Sequence, residues 1–402
     1  MSASAPPAAG RPPGTAPPSR ADARRRRWAL LATLAAIAGV ALVVGALVGA
    51  GGGEDERRSR AQAAGGSSLE RLSLPQRVGQ TLMLSFDDTT PPAYVFDLLR
   101  EGRAAGVVLF RENATSRRQL RRMTRRLQRA ADGSALIAAD QEGGAIRILA
   151  WADPTEGQAT QTTPREAGSA ARATARDLVA VGVNTNLAPV ADIDAPGGSA
   201  VGGRTYPGGV RAVAASTSAA VRALRAGRVA ATAKHFPGFG PAQGNTDDEP
   251  VTIDTAREQL LRRDLAPFRA AIAAGTPFVM ASHALYPALD RRRIASQSPA
   301  VLGDLLRRQL GFRGAVMTDS LEAEAVLRRA PVDRAAVRSL RAGTDLVLMT
   351  GAGSFARVRD RVLARARRDP AFRRRVDEAA GRVLAVKQRL ALRPPRARAD
   401  AR

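Results

Sequence analysis

The feature that most constrains the fold is an alternation of short apolar runs with longer amphipathic segments, repeated eight times. The amphipathic segments, such as Ser116 to Arg129 and Thr255 to Ala274, have the 3.6-residue spacing of helices. The apolar runs are nearly continuous, which is typical of strands buried on both faces of a parallel sheet. In chain order they are QTLMLSF, GVVLF, ALIAAD, NTNLAPVADI, VAATAKHF, FVMASHAL, GAVMTDS and TDLVLM. Eight β/α units in about 320 residues predict an α/β fold, a (β/α)8 TIM-like barrel, with a doubly wound sheet as the alternative.

An apolar segment near the N-terminus predicts a membrane anchor. Four arginines precede 23 uncharged, mostly apolar residues, Trp28 to Ala50. As a transmembrane helix this length spans about 30 Å of hydrocarbon, whereas the core of a cleavable signal has about 7 to 15 residues. The arginines before the segment and the acidic residues after it place the N-terminus in the cytoplasm and the rest of the chain outside. We therefore expect a single-pass protein of the cell membrane, and secretion after signal cleavage is the alternative.

The remaining composition predicts one folded domain with unstructured ends. Residues 1–27 are rich in Pro, Ala and Gly and are expected to form a disordered cytoplasmic tail, followed after the anchor by a flexible linker, residues 51–68. Residues 69–392 form the predicted barrel, and residues 393–402 a disordered basic tail. We expect a monomer.

The net charge of +25 does not indicate a nucleic-acid partner. Residues 61–354 contain 37 basic and 28 acidic residues, whereas residues 355–402 contain 16 and 5. This basic segment has helical spacing but lacks the interleaved aromatic residues that stack on bases, so we predict no nucleic-acid binding. The chain has no cysteine, which excludes disulfides and a thiolate nucleophile. Its two histidines lie on separate predicted strands without zinc-site spacing, so neither a metal nor a cofactor is expected.

Polar residues at the ends of the predicted strands indicate an active site. Active sites of such barrels lie at the C-terminal ends of the strands. The residues at these positions are Asp140, Asn186, Asp192, Lys234, His235, His283 and Asp319. One such residue alone is often a helix cap or a satisfied buried group, but five strand ends that carry them together favour a site. Lys234 is one of two lysines in the chain, and an ammonium beside an imidazole can donate to several hydroxyl groups.

Several motifs together resemble the N-terminal domain of glycoside hydrolase family 3. They are LSLPQRVGQTLMLSF, GVVLF, DQEGG, APVADID, GGRTYPG, AKHFPGFG, MASHALYPALD and VMTDSLEA, in the order and approximate spacing of the family. The combination of KHFPG with MTDS is specific, and the resemblance covers about residues 69 to 392. Because no second sandwich domain follows, the chain is most similar to the single-domain β-N-acetylhexosaminidases of this family.

The resemblance implies a hydrolase that cleaves terminal β-glycosidic bonds by a retaining mechanism. Asp319, at the end of GAVMTDS, matches the aspartate that forms the glycosyl-enzyme intermediate. The residues that match the family's sugar-binding groups are Asp140, Arg204, Lys234 and His235. His283 either supports this part of the pocket or is structural. The implied carbohydrate substrate is a β-N-acetylglucosaminide from cell-wall fragments or other glycans.

The sequence departs from the family at the general acid. Relatives of this type carry an Asp-x-His pair in the mobile loop after KHFPG, and its histidine acts as acid and base. Here the loop reads PAQGNTDDEP, with Asn245 and Asp247 near the positions of that pair. A carboxyl group closed into an apolar pocket can have its pKa raised enough to donate a proton, so we predict Asp247, or failing that Asp248, as the acid. The alternative is a catalytically inactive barrel that binds envelope glycan.

Two further expectations concern the loops. The loop glycines Gly238, Gly240 and Gly244 would let the segment after KHFPG move as a lid. In DQEGGAIRIL, Ile148 stands where the family usually has a substrate-binding arginine, and Arg147 lies one residue earlier.

Overall fold

The computed structural model describes residues 68–195, 198–351 and 353–397. Its strands, in chain order, are β1 (Leu82–Leu84), β2 (Gly106–Leu109), β3 (Leu136–Ala139), β4 (Gln141–Gly143), β5 (Ile146–Arg147), β6 (Thr185–Asn186), β7 (Ala230–Phe236), β8 (Phe278–Ala281), β9 (Leu285–Tyr286), β10 (Asp290–Ile294), β11 (Ala315–Ser320) and β12 (Leu346–Leu348). Eight of them close into a parallel barrel in the order β1-β12-β11-β8-β7-β6-β3-β2. All eight lie within the apolar runs of the sequence, which confirms the barrel and excludes the doubly wound sheet. The pairs β4–β5 and β9–β10 are antiparallel hairpins outside the barrel.

The helices that connect the strands are α1 (Leu74–Gly79), α2 (Ala93–Arg100), α3 (Arg117–Ala130), α4 (Pro164–Ala180), α5 (Val210–Ala226), α6 (Ala266–Ala273), α7 (Glu324–Leu327), α8 (Val332–Ala342), α9 (Ser354–Arg368) and α10 (Pro370–Arg389). Short 3-10 turns cover Arg111–Asn113, Gln158–Thr160 and Ala295–Gln297, and a π-helical segment covers Ala300–Gln309.

The strand residues pack alternately to the two faces of the barrel wall. Val108 of β2 lies in an inner hydrophobic cluster with Met83 and Met280, whereas Val107 and Leu109 lie in the outer cluster between strands and helices. Both faces are therefore apolar, which explains why the strand sequences are continuous apolar runs.

Helix α3 shows how the amphipathic pattern is used. Ser116 caps its first turn by accepting a hydrogen bond from the backbone N–H of Gln119 at 3.2 Å. Leu120, Met123 and Leu127 are buried against the barrel. The opposite face carries only exposed arginines: Arg117, Arg118, Arg121, Arg122, Arg125, Arg126 and Arg129.

The periodicity of Thr255 to Ala274 predicts one continuous helix, but the structure divides this segment into shorter helical pieces. A single α-helical turn at Arg257–Gln259 leads into a π-helical turn at Leu260–Asp264, and α6 begins only at Ala266. Pro267 explains the break, because it has no N–H to continue a regular ladder and is tolerated only in the first turn of a helix.

The predicted anchor and its flanking segments lie outside the described residues, apart from Ser68 at the end of the linker. Within residues 68–195, 198–351 and 353–397, no helix has both the length and the hydropathy that a bilayer crossing requires. The part of the predicted basic tail that is described, residues 393–397, contacts the barrel. The backbone N–H of Arg393 donates to the carbonyl of Gly133 at 3.1 Å, and the carbonyl of Arg396 accepts from Gln76 Nε2 at 2.7 Å.

Candidate active site

Lys234 is the centre of a buried ion-pair network at the C-terminal end of β7. Its Nζ contacts Asp140, which directly follows β3, and lies 2.6 Å from Glu142 Oε1 in β4. The side chain is only 3% exposed. Burial alone disfavours the charged amine, but Asp140 and Glu142 outweigh it and raise the pKa of Lys234. A buried, charged ammonium therefore lies between two carboxylates.

Glu142 is a site residue that the sequence reasoning missed. Arg204 binds it through two hydrogen bonds, from Nε to Oε2 at 2.9 Å and from Nη2 to Oε1 at 2.8 Å. Burial opposes ionisation of Glu142, but Lys234 and Arg204 lower its pKa to about 2. The signal in the sequence was the spacing of two acids in DQEGG, because residues two apart in a strand point to the same face.

His235 is held in place by Asp192. The ring Nδ1 lies 2.7 Å from Asp192 Oδ2, and Asp192 also accepts from the backbone N–H of Phe239 at 2.7 Å. Asp192 is fully buried. The opposite ring nitrogen, Nε2, lies 3.9 Å from Asp319 Oδ2. Asp192 thus fixes the orientation in which His235 faces Asp319.

Asp319 lies near the end of β11, and its side chain is 29% exposed. Burial favours its protonated form, but the electrostatic influence of His235, His283 and Lys234 is larger and holds the pKa of Asp319 below its ordinary value. The backbone N–H of Ser320 also donates to Asp319 Oδ1 at 2.8 Å. This carboxylate is therefore ionised at neutral pH.

His283 follows β8 and is almost fully buried, at 1% exposure. Its Nδ1 lies 2.7 Å from Ser296 Oγ, while its Nε2 has no hydrogen-bond partner among the described residues. Burial lowers the pKa of His283, and the negative charge of Asp319 only partly offsets this. His283 therefore takes up a proton less readily than an ordinary histidine.

The loop that carries Asp247 is bound to the segment that follows β11. The carbonyls of Thr246 and Asp247 accept from the backbone N–H groups of Ala325 and Glu324, both at 3.1 Å. Partial burial, followed by the negative charge of Asp319, raises the pKa of Asp247. Asp247 thus lies within the electrostatic influence of Asp319, although its side chain, like that of Asp248, is exposed.

The loop glycines are needed for close packing, which the sequence alone did not reveal. A Cβ on Gly240 would lie 1.7 Å from the carbonyl oxygen of Ile193. Gly238 has a φ of 126°, and a Cβ there would lie 2.7 Å from Asp264 Cβ. These two positions are therefore restricted by their neighbours, and any lid motion must involve residues beyond Gly240.

Three other residues singled out from the sequence do not join the centre. Asn186 exchanges hydrogen bonds with the backbone of Gln141, at 3.0 and 3.1 Å, and so supports the start of β4. Arg147 donates to the carbonyl of Thr155 at 3.2 Å, and Ile148 packs against the main hydrophobic core. Across the described ranges, no group of three or more His, Asp or Glu residues has the arrangement of a metal site.

Comparison with known proteins identifies relatives along most of the barrel. Residues 73–386 match the family model described as the glycosyl hydrolase family 3 N-terminal domain. A protein named uncharacterized secreted glycosyl hydrolase, from Arthroderma benhamiae, is 33% identical over 295 residues, which are 70% of this chain and 83% of that protein. A protein named beta-hexosaminidase, from Stenotrophomonas maltophilia, is 34% identical over 278 residues, or 67% of this chain and 82% of that protein.

Solved structures have the same barrel. A family 3 beta-N-acetylglucosaminidase from Paenibacillus is 36% identical with a TM-score of 0.76, and the match covers 80% of this chain and 63% of that one. A beta-N-acetylhexosaminidase from Beutenbergia cavernae is 32% identical with a TM-score of 0.72, and the match covers 79% of this chain and 99% of that one. The chain therefore belongs to glycosyl hydrolase family 3, as its motifs predicted, and is a glycoside hydrolase.

Proposed function

We propose that the enzyme removes terminal β-linked N-acetylglucosamine from cell-wall fragments or other glycans, with retention of configuration. The observation that carries this proposal is the ionised Asp319 facing His235 at 3.9 Å, beside the network around Lys234. The relatives named beta-hexosaminidase and beta-N-acetylglucosaminidase support the choice of sugar.

In the proposed reaction, Asp319 is the nucleophile. Its carboxylate bonds to the anomeric carbon while the bond from that carbon to the leaving oxygen breaks, and a general acid gives the oxygen its proton. A water molecule then attacks the anomeric carbon, the bond to Asp319 breaks, and the same group, now a base, takes the proton of that water. The lowered pKa of Asp319 suits this role, because only the ionised carboxylate attacks.

Sugar hydroxyl groups are proposed to bind to Asp140, Lys234 and His235, which supply one acceptor and two kinds of donor around one pocket. Arg204 is engaged by Glu142, so part of its role is to fix that carboxylate beside Lys234. His283 is proposed to support Asp319 from behind.

Asp247 is the proposed acid and base. Its pKa is raised, so it keeps its proton to a higher pH than an ordinary aspartate, and it lies within the electrostatic influence of Asp319. Asp248, which is exposed like Asp247, is the less favoured candidate, because Asp247 lies nearer the position of the loop histidine of the family.

Intact-mass analysis after exposure to a 2-fluoro or 5-fluoro glycosyl fluoride tests the nucleophile. The wild-type chain should gain the mass of one fluoro-sugar, and Asp319→Ala should gain none and lose all turnover, because no intermediate can form. An Asp248→Ala variant is the matched control and should still be labelled. If the wild-type chain takes no label and hydrolyses no aryl glycoside, the catalytically inactive, glycan-binding barrel replaces the enzyme.

We further propose that residues 28–50 hold the enzyme in the cell membrane with its barrel outside. The charge asymmetry around this apolar segment supports the orientation. Protease added outside the cytoplasmic membrane should digest the barrel, and the intact protein should sediment with membranes. Recovery of a soluble protein that begins near residue 51 would instead show signal cleavage and secretion.

A further inference from the structure

A cavity lined by five arginines lies between the β9–β10 hairpin and helix α8. Its volume is about 470 Å³, within the range of roughly 300 to 1,000 Å³ that small-molecule sites occupy. The arginines are Arg292, Arg293, Arg329, Arg338 and Arg341, and among the described residues no acidic side chain lines the cavity. None of the residues proposed for glycoside hydrolysis lines it either.

These positive charges are only partly neutralised by neighbours. Arg341 binds Asp369 at 2.5 Å, and Arg293 lies 3.9 Å from Asp290. The side chains of Arg292 and Arg329 have no ion pair in the part of the chain that is described. Within the described ranges, Arg338 donates only to the carbonyl of Arg329, at 3.3 Å. The five guanidinium groups thus have only these two carboxylate partners among the described residues. The uncompensated positive charge would be stabilised by a bound anion.

Gln297 provides a second and independent indication of a ligand. It lines the same cavity and is only 6% exposed. Its side-chain nitrogen Nε2 is buried and has no hydrogen-bond partner among the described residues. Buried donors are nearly always paired in native proteins, so an unpaired one beside an arginine cluster indicates an acceptor that is supplied from outside.

We propose that this cavity binds a ligand that carries more than one phosphate group. Phosphate oxygens only accept hydrogen bonds, and they match both the amide donor of Gln297 and the forked donors of arginine. The cavity is larger than a single phosphate requires, and its arginines come from two separate elements of the fold. This binding site is additional to glycoside hydrolysis and does not depend on the substrate proposed above.

Isothermal titration of the full-length chain with sodium tripolyphosphate, at a salt concentration of about 0.15 M to screen weak surface attraction, tests the proposal. One saturable site is expected. The double variant Arg292→Gln/Arg329→Gln should weaken binding by about tenfold or more, because two charge-assisted hydrogen bonds are lost. Gln297→Met, which removes the amide at similar size, should weaken it several-fold. Orthophosphate should bind about tenfold or more weakly than tripolyphosphate, since it reaches fewer arginines.

The matched control is Arg121→Gln/Arg125→Gln on α3, which also removes two exposed arginines without ion pairs in the described structure. This control should bind as the wild type does. Equal losses in the two double variants, or the absence of a saturable site in the wild type, would overturn the proposal in favour of general attraction to a basic protein. Equal affinity for orthophosphate would overturn the assignment of several phosphate groups.

A measurement on the wild-type chain removes any dependence on the folding of variants. Phenylglyoxal modifies accessible arginines, and peptide mass analysis locates the modified positions. Tripolyphosphate should protect Arg292 and Arg329 but not Arg121 and Arg125. Protection of all four, or of none, contradicts the site.

Discussion

Lys387 is a buried lysine whose charge should control the pH dependence of stability. Its side chain is 1% exposed, and its Nζ donates to Gln80 Oε1 at 2.6 Å. Burial lowers the pKa of Lys387 from the ordinary 10.5 to about 7. The other lysine of the chain, Lys234, has the opposite shift because two carboxylates contact it. The two lysines differ in the charge of their partners and not in their burial.

The size of the effect on the free energy of unfolding follows from the pKa of Lys387 in the folded and in the unfolded protein. The unfolded chain keeps this proton up to a pH near 10.5, whereas the folded protein loses it near pH 7. Between these values the unfolded state binds one more proton than the folded state, so the free energy of unfolding rises with pH. Below pH 7 Lys387 is charged in both states, and its burial then destabilises the folded protein by the full amount. A shift of about 3.5 units, at roughly 1.36 kcal/mol each, corresponds to a penalty of about 5 kcal/mol.

Replacing Lys387 with Met removes this penalty but leaves Gln80 Oε1 without its donor, at a cost of about 1 to 3 kcal/mol. At pH 6 we expect Lys387→Met to be more stable than the wild type by roughly 2 to 4 kcal/mol. That advantage should fall by about 1.4 kcal/mol per pH unit above pH 7 and vanish between about pH 8.5 and 10. Urea unfolding of both proteins, followed by circular dichroism at pH 6, 8 and 9.5, measures it.

Arg357→Met is the control, since it removes one exposed basic residue of α9 and should show no such pH dependence. The reasoning is refuted if the stability difference between Lys387→Met and the wild type is the same from pH 6 to 9.5. Lys387 would then be titrating alike in the folded and unfolded states.

Two further predictions concern catalysis. Asp247→Ala should slow the hydrolysis of substrates with poor leaving groups by about 100-fold or more and spare activated aryl glycosides, which need little acid assistance. Asp248→Ala should hydrolyse both kinds of substrate as the wild type does. Comparable losses in the two variants would exclude Asp247 as the acid. Lys234→Ala should weaken N-acetylglucosamine binding by about 1 to 3 kcal/mol in a titration, through a lost charged donor. It should also lower the free energy of unfolding by about 3 to 5 kcal/mol, because Glu142 and Asp140 lose their cation. Unchanged sugar affinity in a folded Lys234→Ala protein would exclude it from the sugar site.

The barrel could be predicted from the sequence because its signal is local and redundant. Each strand is apolar on both faces, and each of the eight runs gives the same indication independently. The break before α6 was less visible, because the apolar spacing of Thr255 to Ala274 continues through a region where Pro267 prevents a regular helix.

The pairing of charges could not be predicted, because it depends on contacts between distant parts of the chain. Glu142 and Arg204 are 62 residues apart, and Asp192 and His235 are 43 apart. The C-terminal helix shows the same limit. Its arginine-rich pattern is typical of an exposed face, yet Lys387 on that helix is buried at the N-terminal end of the barrel. A long aliphatic stem with one amine is compatible with either position.

The opposite shifts of two carboxylates give the strongest physical reason to assign their roles. Asp319 and Asp247 influence each other, and each alone would raise the pKa of the other. His235, His283 and Lys234 lower the pKa of Asp319, so it is the member of the pair that ionises first. The remaining negative charge then favours a proton on Asp247. The proposed pair of nucleophile and proton donor would need no loop histidine, since separated pKa values are enough to distinguish an acid from a base.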